Sequence, residues 1–312
     1  QTGSLSGAPT FGASVNLVYT GGTSVTTGSE VPTSPSVLNN FTDNNTATVT
    51  LGGPLYVNGN LLLATSANLD VSTSNHPIFI AGNWTNNGTG TLTARAGTVT
   101  FNGNGDQFIG GTATTAFNNL TINKTGGTVN LAANTTINGT LTFTAGTLTV
   151  NGFTLALNGP AIAGDPNNLV TSSASTLSFG GSATGIGIPA GVAALNGLTI
   201  NNANGVALNG DLTVNGTLTL TSGTLALGTN TLTLNGAVSR TAGNLGGGSG
   251  ANILFGGTGA ATTLPPVTLN NLTINRASGI NLGGAVTVNG TLTLASGALG
   301  IGANTLTLNG AV

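Results

Sequence analysis

The sequence predicts an all-β fold, a single-stranded parallel β-helix (β-solenoid) built from triangular coils of about 19–20 residues. Three observations carry this prediction. Apolar triplets recur every six or seven residues, Asn-Gly and Ser-Gly dipeptides separate them, and a longer repeat of 74–80 residues runs through the chain. Alternation of a large apolar residue with Thr or Ala is typical of a strand that buries one face.

The long repeat is clearest near the end of the sequence. Residues 214–238 align with residues 288–312 at an offset of 74, and 20 of the 25 positions are identical. We predict one continuous solenoid over 1–312 with long repeats at approximately 1–84, 85–161, 162–238 and 239–312, and residues 1–14 as a cap or docking arm. Each long repeat would hold about four coils, and the chain about 16.

The segments between triplets predict the corners of the coil. Asn-Gly, Ser-Gly and Gly-Thr-Asn are expected to supply the positive φ that a sharp corner needs. Strands of three residues are too short to form stable hairpins, whereas three of them can close one triangular turn and stack on the next at about 4.8 Å. Leu, Val and Ile would then form interior columns, and corner Asn side chains would form ladders.

Composition narrows the choice of partners. Only 3% of the residues are charged, and the net charge of −2 offers no basic surface for nucleic acid. No apolar run approaches the roughly 20 residues of a transmembrane helix, and the absence of Cys excludes disulfides and thiol chemistry. A chain that starts at Gln1 without any Met favours an exported product, extracellular or at the cell surface.

Residues suited to catalysis are few and scattered, so we expect no enzyme, no cofactor and no metal site. His76 is the only histidine, and its position before Pro77 favours a turn. A glycosidase needs two carboxylates about 5–9.5 Å apart, and no close pair is expected from the spacing of the acids. The acids are Glu30, Asp43, Asp70, Asp106, Asp165 and Asp211.

Several other residues allow a functional and a structural interpretation. The segment 103–106 resembles a fragment of a calcium-binding repeat, but a single copy favours a turn. Lys124 and Arg276 occupy equivalent positions and are interpreted as solvated charges. Trp84 and Tyr56 could stack on sugars, and packing is the preferred interpretation.

Ice binding is a further alternative, because β-solenoids that bind ice carry flat arrays of outward Thr pairs. Candidate pairs are Thr217 with Thr219, Thr231 with Thr233, and Thr305 with Thr307. The expected coil length would place the single Thr213 beside one of these pairs. The array is therefore expected to be broken.

Longer segments carry a resemblance to a known group of proteins. Residues 81–88, 97–103 and 117–123, together with the Asn-Gly-Thr-Leu-Thr segments, resemble the repeat region of very large secreted Bacteroidota-type surface proteins, commonly exported by a type IX system. A looser similarity extends to the shafts of filamentous haemagglutinins and autotransporters. The resemblance implies an exported, adhesin-like or matrix-forming protein.

Together these observations predict an extracellular structural protein that associates end to end with itself into a filament or surface fibre. The last coil, with Leu306, Leu308 and Val312, is the predicted assembly interface. Cell-surface or matrix glycans are second candidate partners. The main alternative is a shaft fragment of a giant cell-surface adhesin, followed by an ice-binding protein or a polysaccharide-active β-helix enzyme.

Overall fold

A computed structural model describes residues 7–312 and confirms the predicted fold class. The chain is all-β, with parallel strands stacked as a β-solenoid of about 14 turns. Two compact units are formed, one by the residues up to Leu155 with Ile162–Asn168, the other by Ala156–Ala161 with Leu169–Val312. Of the predicted arm, residues 1–6 lie outside the described part of the chain, and residues 7–14 form no strand.

The first unit contains short strands and one 3-10 helix. The strands are β1 (Val15–Gly21), β2 (Val25–Thr26), β3 (Leu38–Asn45), β4 (Thr48–Thr50), β5 (Leu55–Val57), β6 (Leu61–Leu63), β7 (Asn68–Asp70), β8 (Ile78–Ile80), β9 (Trp84–Asn86), β10 (Thr91–Thr93), β11 (Thr98–Phe101), β12 (Gln107–Gly111), β13 (Thr115–Phe117), β14 (Asn119–Asn123), β15 (Val129–Leu131), β16 (Thr135–Ile137), β17 (Leu141–Ala145), β18 (Leu148–Thr149) and β20 (Ala163–Gly164). The helix is Pro166–Asn168. Strand β19 (Thr154–Leu157) runs from this unit into the next.

The second unit is built in the same way. Its strands are β21 (Leu169–Val170), β22 (Thr176–Phe179), β23 (Gly187–Ile188), β24 (Ala194–Leu195), β25 (Gly197–Asn201), β26 (Val206–Leu208), β27 (Leu212–Val214), β28 (Leu218–Ser222), β29 (Thr224–Ala226), β30 (Thr231–Leu234), β31 (Val238–Arg240), β32 (Asn244–Gly246), β33 (Asn252–Phe255), β34 (Thr262–Leu264), β35 (Val267–Leu269), β36 (Asn271–Asn275), β37 (Ile280–Leu282), β38 (Val286–Val288), β39 (Leu292–Ser296), β40 (Leu299–Gly300) and β41 (Leu306–Leu308). Residues 7–312 contain no helix with the length and apolarity that a bilayer crossing requires.

Each unit has three faces of parallel β-sheet, which gives the predicted triangular turn. In the first unit, face A has the order β1-β3-β6-β9-β12-β15-β18, face B has β2-β4-β7-β10 followed by β13-β16, and face C has β5-β8-β11-β14-β17-β20. In the second unit, face D has β22-β25-β28-β31 followed by β34-β37-β40, face E has β23-β26-β29-β32 followed by β35-β38-β41, and face F has β24-β27-β30-β33-β36-β39. From β3 to β18 and from β22 to β41, consecutive strands lie on the three faces in turn.

The turns differ in length between the units. Paired residues lie 18 to 21 positions apart in the second unit, as for Thr262 with Ile280 and Leu232 with Ile253. In the first unit the spacing reaches 25, between Trp84 and Ile109. The predicted coil length therefore describes the regular copies only. Because the early turns carry longer corners, the chain makes about 14 turns and not about 16.

Alternation fills the interior as the sequence predicts. Leu212 and Val214 are buried, Thr213 between them is half-buried, and the strand stacks in register on β30, which places Thr213 on Thr233. Corner Asn ladders are also present. The Asn235 Nδ2 donates to Asn215 Oδ1 at 2.9 Å. These ladders satisfy polar groups at the corners, where strand pairing ends.

Two different requirements explain why glycine occupies the corners, and the sequence analysis predicted only one of them, the positive φ. Gly223 and Gly297 of the Ser-Gly corners have φ of 71° and 81°, as predicted. Gly216 and Gly236 of the Asn-Gly corners do not have positive φ. A Cβ on Gly236 would overlap the carbonyl oxygen of Gly216 in the preceding turn. The Asn-Gly corners therefore need glycine because successive turns approach closely there.

Candidate functional site

One position in every long repeat carries a buried polar side chain. Asn45, Lys124, Asn202 and Arg276 each follow an aligned five-residue strand segment, and their exposed fractions are 1%, 2%, 0% and 0%. Each donates hydrogen bonds to backbone carbonyls of preceding turns, as Asn45 does to Thr23 O at 2.8 Å. The prediction that Lys124 and Arg276 are solvated was therefore wrong. The alternation of inward and outward residues does predict that Lys124 is buried. Positions 120 and 122 point inward, so position 124 is the next inward position.

Arg276 makes the most contacts of this set. Its guanidinium donates to Gly256 O at 2.8 Å and Ala260 O at 3.2 Å, and also to two carbonyls one turn farther away. Those two are Leu234 O at 3.0 Å and Gly236 O at 2.8 Å. Burial lowers the pKa of Arg276, and no carboxylate accompanies it. The side chain therefore ties three successive turns together through their main chains.

Lys124 holds the loop that resembles a calcium-binding fragment. Its ammonium donates to Gly103 O and Gly105 O, each at 2.8 Å, and to Gln107 Oε1 at 2.7 Å. Burial lowers the pKa of Lys124, and the charge of Asp106 opposes this shift. Residues 7–312 contain no group of three or more His, Cys, Asp or Glu side chains that could hold a metal. Two carbonyls of this loop therefore accept hydrogen bonds from the Lys124 ammonium.

Four of the six acids stabilise turns and stay apart. Asp70 pairs with Arg95 at 2.6 Å and accepts from Ser72 N. The other three accept from backbone N–H groups: Asp106 from Thr128, Asp165 from Asn167 and Asp211 from Thr231. His76 directly follows the turn at residues 72–75, and its backbone N–H donates to Val71 O at 2.9 Å. None of these residues forms a constellation suited to nucleophilic or acid–base chemistry with another.

The other two acids, Glu30 and Asp43, both act on Tyr19. The Tyr19 hydroxyl donates to Glu30 Oε1 at 2.6 Å. Burial is the main reason that the pKa of Tyr19 is raised, and the charges of Glu30 and Asp43 raise it further. Asp43 is 0% exposed and stands in the column position that Ile122, Ile200 and Ile274 occupy in later repeats. Its Oδ1 accepts from Asn45 N–H at 3.0 Å, whereas Oδ2 has no protein partner. Sequence spacing missed this cluster because its members lie on different turns.

The cluster predicts that the first unit is more stable in mild acid. Burial raises the pKa of Asp43 from 3.8 to about 6, so the folded state binds this proton more tightly than the unfolded state. The stabilisation is present below about pH 4 and is lost as the pH rises through about 6, by roughly 2–3 kcal/mol. Urea unfolding followed by the fluorescence of Trp84, which is the only tryptophan and lies in this unit, should show it.

Asp43→Asn should remove most of this pH dependence between pH 4 and 7. Glu30 is the control, because its pKa shifts the other way. Burial alone would raise the pKa of Glu30, but hydrogen bonds from Tyr19 and Gly28 outweigh it and lower the pKa. Glu30→Gln should therefore still lose stability as the pH rises from 4 to 7. An unchanged pH profile in Asp43→Asn would contradict the assignment.

The two aromatic residues considered for sugar stacking, Trp84 and Tyr56, differ in their environment. Trp84 is 0% exposed, its Nε1 donates to Thr115 Oγ1 at 3.0 Å, and its ring meets Phe117 edge-on at 5.1 Å. The packing interpretation of Trp84 is confirmed. Tyr56 instead points outward from face C and stacks on Phe79, with ring centroids 4.9 Å apart and planes at 5°. This outward pair is a feature that spacing alone did not indicate.

The three Thr pairs considered for ice binding lie on three different faces. Thr217 and Thr219 belong to the β28 segment of face D, and Thr231 and Thr233 lie on β30 of face F. The third pair flanks Leu306 of β41 on face E. Because a flat array needs its pairs on one face, these pairs do not combine into one.

The predicted assembly residues lie on the last described turn. Leu306 is half-buried, Leu308 is 39% exposed and Val312 is 81% exposed. Leu306 stacks on Val286 and Leu308 on Val288, both of which are buried. Comparison of the chain with protein-family models, curated proteins and solved structures gives no match.

Proposed function

We propose that this chain is an extracellular structural protein whose solenoid turns associate with a second copy through unpaired strand edges. The observation that supports this proposal most directly is the unpaired edge of the last described turn in the second unit. Strands β39, β40 and β41 pair with β36, β37 and β38 on one side, and no described strand pairs with them on the other. Their outer backbone groups form a template for another strand.

The side chains of that turn support the same proposal. Leu294 stacks on the fully buried Ile274, yet it is 51% exposed because no turn within residues 7–312 covers it. Leu308 and Val312 add further uncovered apolar surface. Strands β39 to β41 contain no charged residue that would oppose pairing. Covering this turn would continue the interior columns and bury apolar area.

A second copy offers a suitable surface. Within residues 7–312, β1 of the first unit pairs only with β3, β2 only with β4, and β5 only with β8, so no described strand covers the other edge of any of them. An edge of one copy docked on a different edge of the next is a heterologous contact, which produces open filaments when the rotation does not close. A surface with 3% charged residues has little self-repulsion to prevent it.

The extracellular setting rests on resemblance. The similarity of residues 81–88, 97–103 and 117–123 to repeat regions of secreted surface proteins supports it. The second candidate is the shaft of a larger adhesin. It is favoured by the direct pairing of Leu306 with Val286 on face E, because further turns could stack on the same edge.

Light scattering and electron microscopy of the 312-residue chain test the proposal. We expect concentration-dependent filaments from the unchanged chain, and at least tenfold weaker association for Leu294→Lys/Leu308→Lys, because edge lysines oppose strand pairing. Phe108→Lys is the matched control, since Phe108 is 44% exposed on face A away from these edges. Single chains at all concentrations would refute self-assembly and favour the adhesin shaft.

A further inference from the structure

Face C carries two aromatic side chains at outward positions where later turns carry threonine. Tyr56 pairs in register with Phe79, and Phe79 with Thr100. Thr121 and Thr142 continue the row. The interior columns do not need these rings, because Leu55, Val57, Ile78 and Ile80 already fill the inward positions of the two strands.

A shallow pocket of about 200 Å³ lies beside the two rings. It is also lined by Pro35, Val57, Asn58, Ala81 and Asn102. Asn58, Ala81 and Asn102 each follow a face C strand, so they stack on successive turns at the same corner. The small Ala81 leaves room between the two amides.

The amides at this corner are exposed to solvent. Asn58 Nδ2 donates to Leu38 O at 3.2 Å, which orients the side chain and leaves its Oδ1 as an acceptor. No Asp, Glu, Lys, Arg or His lines the pocket. The lining therefore combines aromatic carbon with neutral hydrogen-bonding groups.

From this lining we infer that the Tyr56–Phe79 pocket binds one ring of a neutral carbohydrate. A sugar ring presents C–H groups to the aromatic carbon and hydroxyls to the amides and the Tyr56 hydroxyl. Pockets for drug-sized ligands occupy about 300–1,000 Å³, so this one suits a single sugar unit. Sulfated, phosphorylated and acidic sugars are disfavoured because no cation lines the site.

The inference relies on the proposed extracellular role only for the source of the glycan. Binding at face C does not involve the strand edges. A filament of many copies would present the pocket repeatedly, and weak single-site binding would then become strong through multivalency. Failure of assembly and failure of sugar binding are therefore separable results.

Saturation-transfer difference NMR with cellotetraose, mannotetraose and chitotetraose, and with a heparin tetrasaccharide as the charged comparison, tests the site. We expect transfer to ring C–H protons of at least one neutral probe and none to the heparin probe. Tyr56→Thr/Phe79→Thr should reduce the signal at least tenfold. This variant copies the residues of the following turns, so the fold should persist, and Trp84 fluorescence checks it.

Two further variants complete the test. Ala81→Leu keeps both rings and fills the space between the amides, so it should also abolish the signal. Phe108→Thr removes an exposed aromatic ring on another face and should leave the signal unchanged. No transfer to any neutral probe, or equal transfer in the unchanged chain and in Ala81→Leu, would overturn the assignment.

Discussion

Replacement of Arg276 by leucine is expected to destabilise the second unit by about 3–4 kcal/mol, because buried backbone carbonyls lose a charged hydrogen-bond donor. The change removes this donor from the carbonyl oxygens of Gly256, Ala260 and Gly236, whereas Leu234 O still accepts from Gly256 N–H. Each unsatisfied buried acceptor costs about 1–3 kcal/mol, reduced where water can enter. The substitution also removes the cation–π contact between the guanidinium and the Phe255 ring, whose centroid lies 5.9 Å from Arg276 Cζ.

Amide hydrogen exchange across β30, β33 and β36 measures this effect locally. Exchange there should become about a hundredfold to a thousandfold faster, since each 1.36 kcal/mol corresponds to a factor of ten. Arg276→Lys should lose less, because Lys124 shows that an ammonium can fill the equivalent position. Arg240→Leu is the control, as Arg240 is exposed and bonds only to Gly243 and Asn244 nearby. Unchanged exchange in Arg276→Leu would refute the proposed tie between turns.

Gly236→Ala is expected to destabilise the second unit by about 3 kcal/mol, the upper range for inserting a methyl group into a packed site. The added Cβ would overlap Gly216 O, Gly216 C and Gly216 Cα, which are all backbone atoms. Neither turn can move away easily, because the Asn235–Asn215 hydrogen bond holds the same corner. A backbone shift there would also disturb the carbonyl of Gly236 that Arg276 binds.

Differential scanning calorimetry is a suitable measurement for this substitution. A loss of about 3 kcal/mol in a unit of this size corresponds to a fall in Tm of about 6–12 °C. Gly248→Ala is the matched control, since a Cβ on Gly248 has nothing within 4 Å and its φ is not positive. Equal Tm values for the two variants would show that close approach is not the reason for glycine at Asn-Gly corners.

The fold class, the alternation of buried and outward residues and the lengths of the regular turns could all be predicted from the amino-acid sequence. Strand Leu212–Val214 repeats at Thr231–Leu234 because a solenoid stacks equivalent residues on one another, so each buried column leaves a direct periodic record in the chain. Corner Asn ladders followed for the same reason, as Asn215 and Asn235 are also one turn apart. Local periodicity is sufficient when every contact is between neighbouring turns.

Other features became visible only in the folded chain. Alternation places Lys124 and Arg276 at inward positions, but the backbone carbonyls that make burial of their charges possible belong to other turns. The meeting of Tyr19, Glu30 and Asp43 and the pocket beside Tyr56 and Phe79 arise in the first unit, where successive turns differ in length. Irregular corners shift which side chains meet across turns, and such meetings depend on distances in space that sequence spacing does not encode.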